Sequence, residues 1–196
     1  MTGRLIYICR HGETDWNAQG RIQGQRDIPI NATGRKQADR NGRLLTNLLG
    51  QAENFDFVAS PLNRTCETME RIRTQMGLSP SGYTTDARLM EVHFGDWQGF
   101  TMNEVDVREP GIVARRDASK WSFLPPGNDA ESYDMLATRV TGWLESVEKP
   151  AICVTHGGVM RTLFKTIGGM DGDKAAMLDI PQDRVLELKE SSLQWL

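Results

Sequence analysis

The chain of 196 residues is poor in histidine, cysteine and tyrosine, with three of each. It also lacks long apolar runs and any strong excess of charge of one sign. Each shortage excludes something. The apolar stretches fall far short of the roughly 20 residues that a membrane-spanning helix needs, so no membrane association is expected. The first residues lack a basic segment followed by an apolar core, so no signal peptide is expected. A net charge of −3 offers no broad basic face, so no nucleic-acid partner is expected. Cys9, Cys66 and Cys153 are odd in number and far apart. They read as small buried apolar residues in a reducing compartment, not as disulfides or metal ligands. A hydrophobic content of 39% and a charged content of 25% argue against disorder. What remains is a cytoplasmic enzyme or binding protein, long enough to bury a sizeable core.

The apolar pattern alternates between two periods. Leu5 to Cys9, Phe55 to Ala59 and Ala151 to Val154 are short continuous apolar runs, the mark of strands buried on both faces. Helical patterns lie between them. One starts at Asn31 as cap, carries Leu44, Leu45, Leu48 and Leu49, and ends at Gly50. A second is predicted to start with Ser60 as cap and Pro61 at its first position, and to end at Gly77. A third runs from about Ala130 to Lys149-Pro150, with Leu136, Val140, Trp143, Leu144 and Val147 on one stripe. A fourth spans Gly158 to Ile167. Val185 to Leu188 and Leu193 to Leu196 read as closing strands. Strands alternating with amphipathic helices predict a three-layer α/β/α fold around a mostly parallel sheet. A single domain is expected over 1–196. An irregular insertion at about 78–128, with two short helices near 101–118, is expected over the functional edge of the sheet.

In a parallel sheet, ligands bind beyond the carboxyl ends of the strands. Three features fall there. The first strand ends in Arg10-His11-Gly12. The second ends in Ser60-Pro61, with Arg64 shortly after. The third ends in Thr155-His156-Gly157-Gly158. If these strands are neighbours, two imidazoles and two guanidiniums converge. Arginine forks and helix N-termini suit phosphate oxygens. A phosphate alone needs no histidine, but a histidine among the donors can serve as a nucleophile. His93 lacks the strand-end context and reads as a rim residue. Trp97, Trp121 and Phe123 read as core rather than as pocket lining.

Four blocks carry a resemblance. RHGETDWN with GRIQGQRDIPIN, then ASPLNRTCET, LMEVHFGDWQG and VTHGGVMR are similar, in this order, to the motifs of the histidine phosphatase superfamily. That superfamily includes the cofactor-dependent phosphoglycerate mutases. The resemblance spans nearly the whole chain and implies a phosphoglycerate mutase-like fold. It implies that His11 attacks phosphorus and becomes a phosphohistidine. Glu91 would then protonate the leaving oxygen and later activate water. Arg10, Arg64 and His156 would stabilise the phosphoryl oxygens. Asn17, Gln23, Gly24 and Gly157 would complete the phosphate site. The resemblance implies no metal and no cofactor, because the cationic side chains neutralise the charge.

The superfamily divides by the acceptor of the phosphoryl group. The mutase branch resembles a longer chain with a YG-x-LQG acid block, whereas this sequence has FGDWQG. Its PPGNDAES resembles the phosphatase-type PPGGES loop, with Asn128-Asp129-Ala130 lengthening the turn. The expectation is a phosphomonoester hydrolase acting on a small phosphorylated metabolite, as a monomer or homodimer. The alternatives are a phosphoglycerate mutase and a non-catalytic protein that binds a phospho-ligand. Met90 and His93 depart from the family pattern beside the acid, which leaves the leaving group open.

Overall fold

The computed structural model describes residues 5–50 and 52–196. Six strands form one sheet: β1 (Leu5–Arg10), β2 (Asp56–Ala59), β3 (Thr84–Thr85), β4 (Ala151–Thr155), β5 (Val185–Lys189) and β6 (Ser192–Trp195). Their order is β3-β2-β4-β1-β5-β6. The four strands from β3 to β1 run parallel, and the pairings of β5 with β1 and β6 are antiparallel. The sheet is therefore mixed and mostly parallel, as the alternation of periods predicts.

Eight α-helices accompany it among the described residues: α1 (Asp15–Ala18), α2 (Ala32–Leu49), α3 (Asn63–Gln75), α4 (Met102–Arg108), α5 (Ile112–Asp117), α6 (Tyr133–Glu145), α7 (Gly157–Thr166) and α8 (Gly172–Met177). The two faces of β1 explain its unbroken apolar run. Ile6 and Ile8 pack with Leu136, Val140 and Trp143 of α6 and Val159 and Leu163 of α7. Tyr7 and Cys9 point the other way, toward Leu45 of α2 and Met69 and Ile72 of α3. Successive side chains of a strand alternate faces, so a strand covered on both sides is apolar throughout. Each fully buried Ile or Leu contributes about 1.5–3 kcal/mol. A smaller cluster of Ile22, Trp97, Val105 and Ile112 holds the region of α4 and α5 together.

Asn31 caps α2 through Gly34 N, and Ser132 caps α6 through Met135 N. Three expectations need correction. Ser60 and Pro61 do not start α3. Its first residue is Asn63, its N-cap is Leu62, and that cap carries no side-chain bond. Instead Ser60 N donates to Val154 O at 3.0 Å, so the backbone stays in the sheet ladder one residue past β2. The third helix ends at Glu145 with Ser146 as C-cap, ahead of Lys149-Pro150. Of the cysteines, Cys9 and Cys153 are buried, but Cys66 is only partly so. The tryptophans follow the core reading. Trp97 and Trp121 are buried, and Phe123 stacks on Trp97 with centroids 5.4 Å apart.

Candidate active site

The sheet order settles the convergence. β1 and β4 are adjacent and parallel, and Arg10 pairs with Thr155. His11 and His156 therefore stand side by side, one residue beyond each strand. Their ring centroids are 5.2 Å apart. β2 lies on the other side of β4, which brings Ser60 and then Arg64 to the same edge. His11 N donates to Thr155 O at 2.9 Å, so the ladder continues through the histidine itself and fixes where its side chain leaves the backbone.

The ring of His11 is oriented by its neighbour. His11 Nδ1 lies 2.8 Å from Gly12 O. A carbonyl can only accept, so Nδ1 carries the proton and Nε2 keeps a free lone pair. Gly12 N donates to Thr68 Oγ1 at 3.0 Å, and Thr68 Oγ1 donates to Arg64 O at 2.7 Å. Gln182 Nε2 donates to both His11 O and Asn17 Oδ1 at 3.1 Å. Gly12 sits tightly against Gly34; a Cβ there would overlap the Gly34 carbonyl. The sequence marks Ser60 as a strand end and helix cap rather than as a partner of His156, and it singles out neither Thr68 nor Gln182. Ser60 and Thr68 lie in or beside the SPLNR block and carried a weak signal; Gln182 carried none.

Around the two imidazoles are donors without acceptors. Arg10 Nη1 donates to Ile180 O at 2.7 Å. Arg64, fully buried, donates to Gly24 O and Arg26 O, both at 2.7 Å. The buried Nε atoms of Arg10 and Arg64, and the buried Nδ1 of His156, have no partner. Among the described residues no carboxylate forms a salt bridge with either arginine. Two buried guanidiniums and an imidazole left with free positions make a cradle for an anion. His156 Nε2 meets Ser60 Oγ at 2.8 Å. With Ser60 donating, Nδ1 bears the proton and can offer it to an oxygen.

The electrostatics agree. Burial holds both histidines well below the ordinary 6.5. The charge of Arg64 adds most to this, followed for His11 by Arg10 and for His156 by His11 and Arg10. Both are neutral at pH 7, which suits His11 as a nucleophile. Burial also lowers Arg10 and Arg64 to about 10, and they remain charged at neutral pH.

The remaining predicted residues group as follows. Glu91 Oε2 accepts from Gly158 N at 3.1 Å, and Glu91 Oε1 accepts from Val92 N at 2.9 Å. This ties the acid to the start of α7, and its charge acts on Arg10, Arg64 and Arg161. Arg139 clamps the segment before it by donating to Arg88 O, Met90 O and Glu91 O at 2.7, 2.7 and 3.0 Å. Asn17 Oδ1 is occupied by Thr14 N and Gln182, which leaves its NH2 group to donate. Gln23 is buried, and its Oε1 has no partner. Gly24 is joined to the site through the Arg64 bond. Gly157 is the first residue of α7; a Cβ there would meet Arg10 Nε at 3.5 Å. A polar cavity of about 490 Å³ is lined in part by Gln25, Arg26, Met90, His93, Gln98 and Asn128. His93 thus stands at a rim.

A mostly parallel α/β sheet that brings two histidines and two arginines together beyond adjoining strand ends defines a class: a protein built to take a phosphoryl group. The chain belongs to the histidine phosphatase superfamily (branch 1), whose family model matches residues 6–195. It is 32% identical over 189 residues to a glucosyl-3-phosphoglycerate phosphatase of Mycolicibacterium vanbaalenii, covering 91% of this chain and 80% of that one. It is 36% identical over 168 residues to a metal-independent phosphoserine phosphatase of Arabidopsis thaliana, covering 83% and 68%. A solved mycobacterial glucosyl-3-phosphoglycerate phosphatase superposes with a TM-score of 0.79 at 26% identity, over 99% of this chain and 96% of that one. Among the described residues no helix is long and apolar enough to cross a membrane.

Proposed function

We propose that the chain hydrolyses small phosphomonoesters in two steps through a phosphohistidine on His11. The free Nε2 of His11, with its proton fixed on the far nitrogen by Gly12 O and unpartnered donors around it, carries this reading. Nε2 attacks phosphorus in line, and the bond from phosphorus to the ester oxygen breaks. Glu91 gives its proton to that oxygen. Water then attacks the phosphohistidine, Glu91 takes a proton from the water, the P–N bond breaks and inorganic phosphate leaves. Arg10, Arg64, His156 and the Asn17 amide stabilise the three equatorial oxygens. The likeness to a glucosyl-3-phosphoglycerate phosphatase and a phosphoserine phosphatase supports a small metabolite as substrate.

Incubation with p-nitrophenyl phosphate should release inorganic phosphate and transiently label the protein with acid-labile phosphate. His11→Ala should lose the label and slow turnover on the order of 10⁴-fold or more. Interconversion of 2- and 3-phosphoglycerate without phosphate release would instead make the chain a mutase.

A further inference from the structure

The sheet ladder reaches His11 N, which donates to Thr155 O, and the next peptide leaves the sheet. Gly12 follows, the residue with the widest choice of backbone conformations. Two side chains from distant segments hold the peptide between His11 and Gly12. Its carbonyl, His11 O, accepts from Gln182 Nε2 at 3.1 Å. Its N–H, on Gly12, donates to Thr68 Oγ1 at 3.0 Å. Rotation of that peptide would carry Gly12 O away from His11 Nδ1, which lies 2.8 Å from it. The bond that keeps Nε2 of His11 free therefore depends on a peptide plane pinned from both sides.

Gln182 makes a second contact. A side-chain NH2 group has two hydrogens, and the other goes to Asn17 Oδ1, also at 3.1 Å. Thr14 N and Thr14 Oγ1 donate to the same oxygen at 3.1 and 3.2 Å. With these donors gathered on its oxygen, the Asn17 amide keeps its NH2 group for the phosphoryl oxygens. Gln182 lies in the irregular segment between α8 and β5, yet that segment is anchored. Gln182 O accepts from Nδ2 of the buried Asn41 in α2 at 3.0 Å, and Ile180 O accepts from Arg10 Nη1 at 2.7 Å. Gln182 is only half-buried, so its side chain is not needed to fill the core.

We propose that Gln182 is a positioning residue for phosphoryl transfer. Its one NH2 group sets the nucleophile His11 and the oxygen-binding Asn17 in a single frame, and Thr68 holds the opposite edge of the His11–Gly12 peptide. This rests on the phosphatase reading and adds to it a residue that acts through His11 and Asn17. Its effect falls on the attack at phosphorus, where a small misplacement of the nucleophile is expensive.

The test is a double-mutant cycle read as kcat/KM for p-nitrophenyl phosphate, which covers the steps up to attack by His11. Gln182→Met keeps the length and removes both donors, and should lower kcat/KM about tenfold. Gln182→Glu keeps the shape but sets a carboxylate against two acceptor oxygens, and should cost more, on the order of 10²-fold. In an Asn17→Ala background each change should cost about threefold less or better, because the part exerted through Asn17 is already gone. A residue that only supports the fold would cost the same in both backgrounds. Equal costs would therefore overturn the proposal, and so would single variants that both stay within about twofold of the wild type. If the charged variant is unstable in thermal melts, Gln182→Met carries the comparison alone. Phosphate release by the wild type in the same assay keeps the phosphatase reading separate; its absence would sink that reading, and this one with it.

Discussion

His11 and His156 face each other with ring centroids 5.2 Å apart, because Arg10 and Thr155 are register partners on adjacent parallel strands. Two imidazoles this close, beside two buried guanidiniums, stay neutral where free histidine would begin to protonate. This has a consequence for stability. The folded-state values lie well below 6.5, so below that pH the unfolded chain binds more protons than the folded one. Stability must fall as the pH drops from about 6.5 toward the folded values. The loss is at most about 1.4 kcal/mol per histidine for each pH unit. Urea unfolding at pH 7.5, 6.5 and 5.5 checks it. His156→Asn should flatten the decline, and a slope equal to that of the wild type would contradict the argument.

Glu91 and Gly158 form a second testable relationship. A Cβ on Gly158 would overlap Glu91 Oε1. That atom is the end of a flexible side chain, so Gly158→Ala should swing the carboxylate away while leaving the fold nearly intact. The expected kcat loss approaches that of Glu91→Gln, about 10²–10⁴-fold. Gly12→Ala differs, because its Cβ would overlap the Gly34 backbone. Backbone cannot step aside, and the expected cost is about 1–3 kcal/mol of stability. Thermal melts together with steady-state kinetics separate the two variants.

Arg139 clamps the chain around the acid. Its Nε and Nη2 donate to the two oxygens of Glu131 at 2.8 Å each, and Glu131 Oε2 also accepts from His93 N at 3.0 Å. Arg139→Met removes three bonds to the backbone of 88–91 and leaves Glu131 without its countercharge. We expect a loss of about 2–3 kcal/mol, below the range for a fully buried pair because both side chains keep some solvent contact. A lower kcat is also expected. Arg139→Lys should recover little, since an ammonium cannot reproduce the fork. Full recovery in that variant would reduce Arg139 to a simple charge.

Activity is expected to persist in excess EDTA. Arg10, Arg64 and His156 supply the positive charge that a divalent ion would otherwise bring to the transferring group. Arg64→Ala should therefore cost far more than chelation does, and a rate that collapses with EDTA and returns with Mg²⁺ would refute this.

Much of the architecture was legible because burial leaves a period in the residues. The apolar runs of β1, β2 and β4 and the stripe of α6 follow from which faces are covered, and the four motif blocks marked the strand ends. The altered PPGNDAES turn was visible as well. Its consequence was not: the longer turn still delivers Glu131 to Arg139 and to His93 N. The misread helix start shows the limit of local rules. Ser60 has the chemistry of a cap, but its N–H is claimed by Val154 O and its hydroxyl by His156. A local preference worth about 1 kcal/mol yields to two tertiary hydrogen bonds.

The sequence by itself determined the kinds of chemistry available: two His-Gly strand ends, two arginines, one acid, and strands that must be covered on both sides. Only the tertiary structure decided that β4 sits between β1 and β2. It also decided which ring nitrogen of His11 is free and which buried donors lack partners. Residue type and period are local properties, whereas strand order and unpaired buried donors depend on contacts between distant segments.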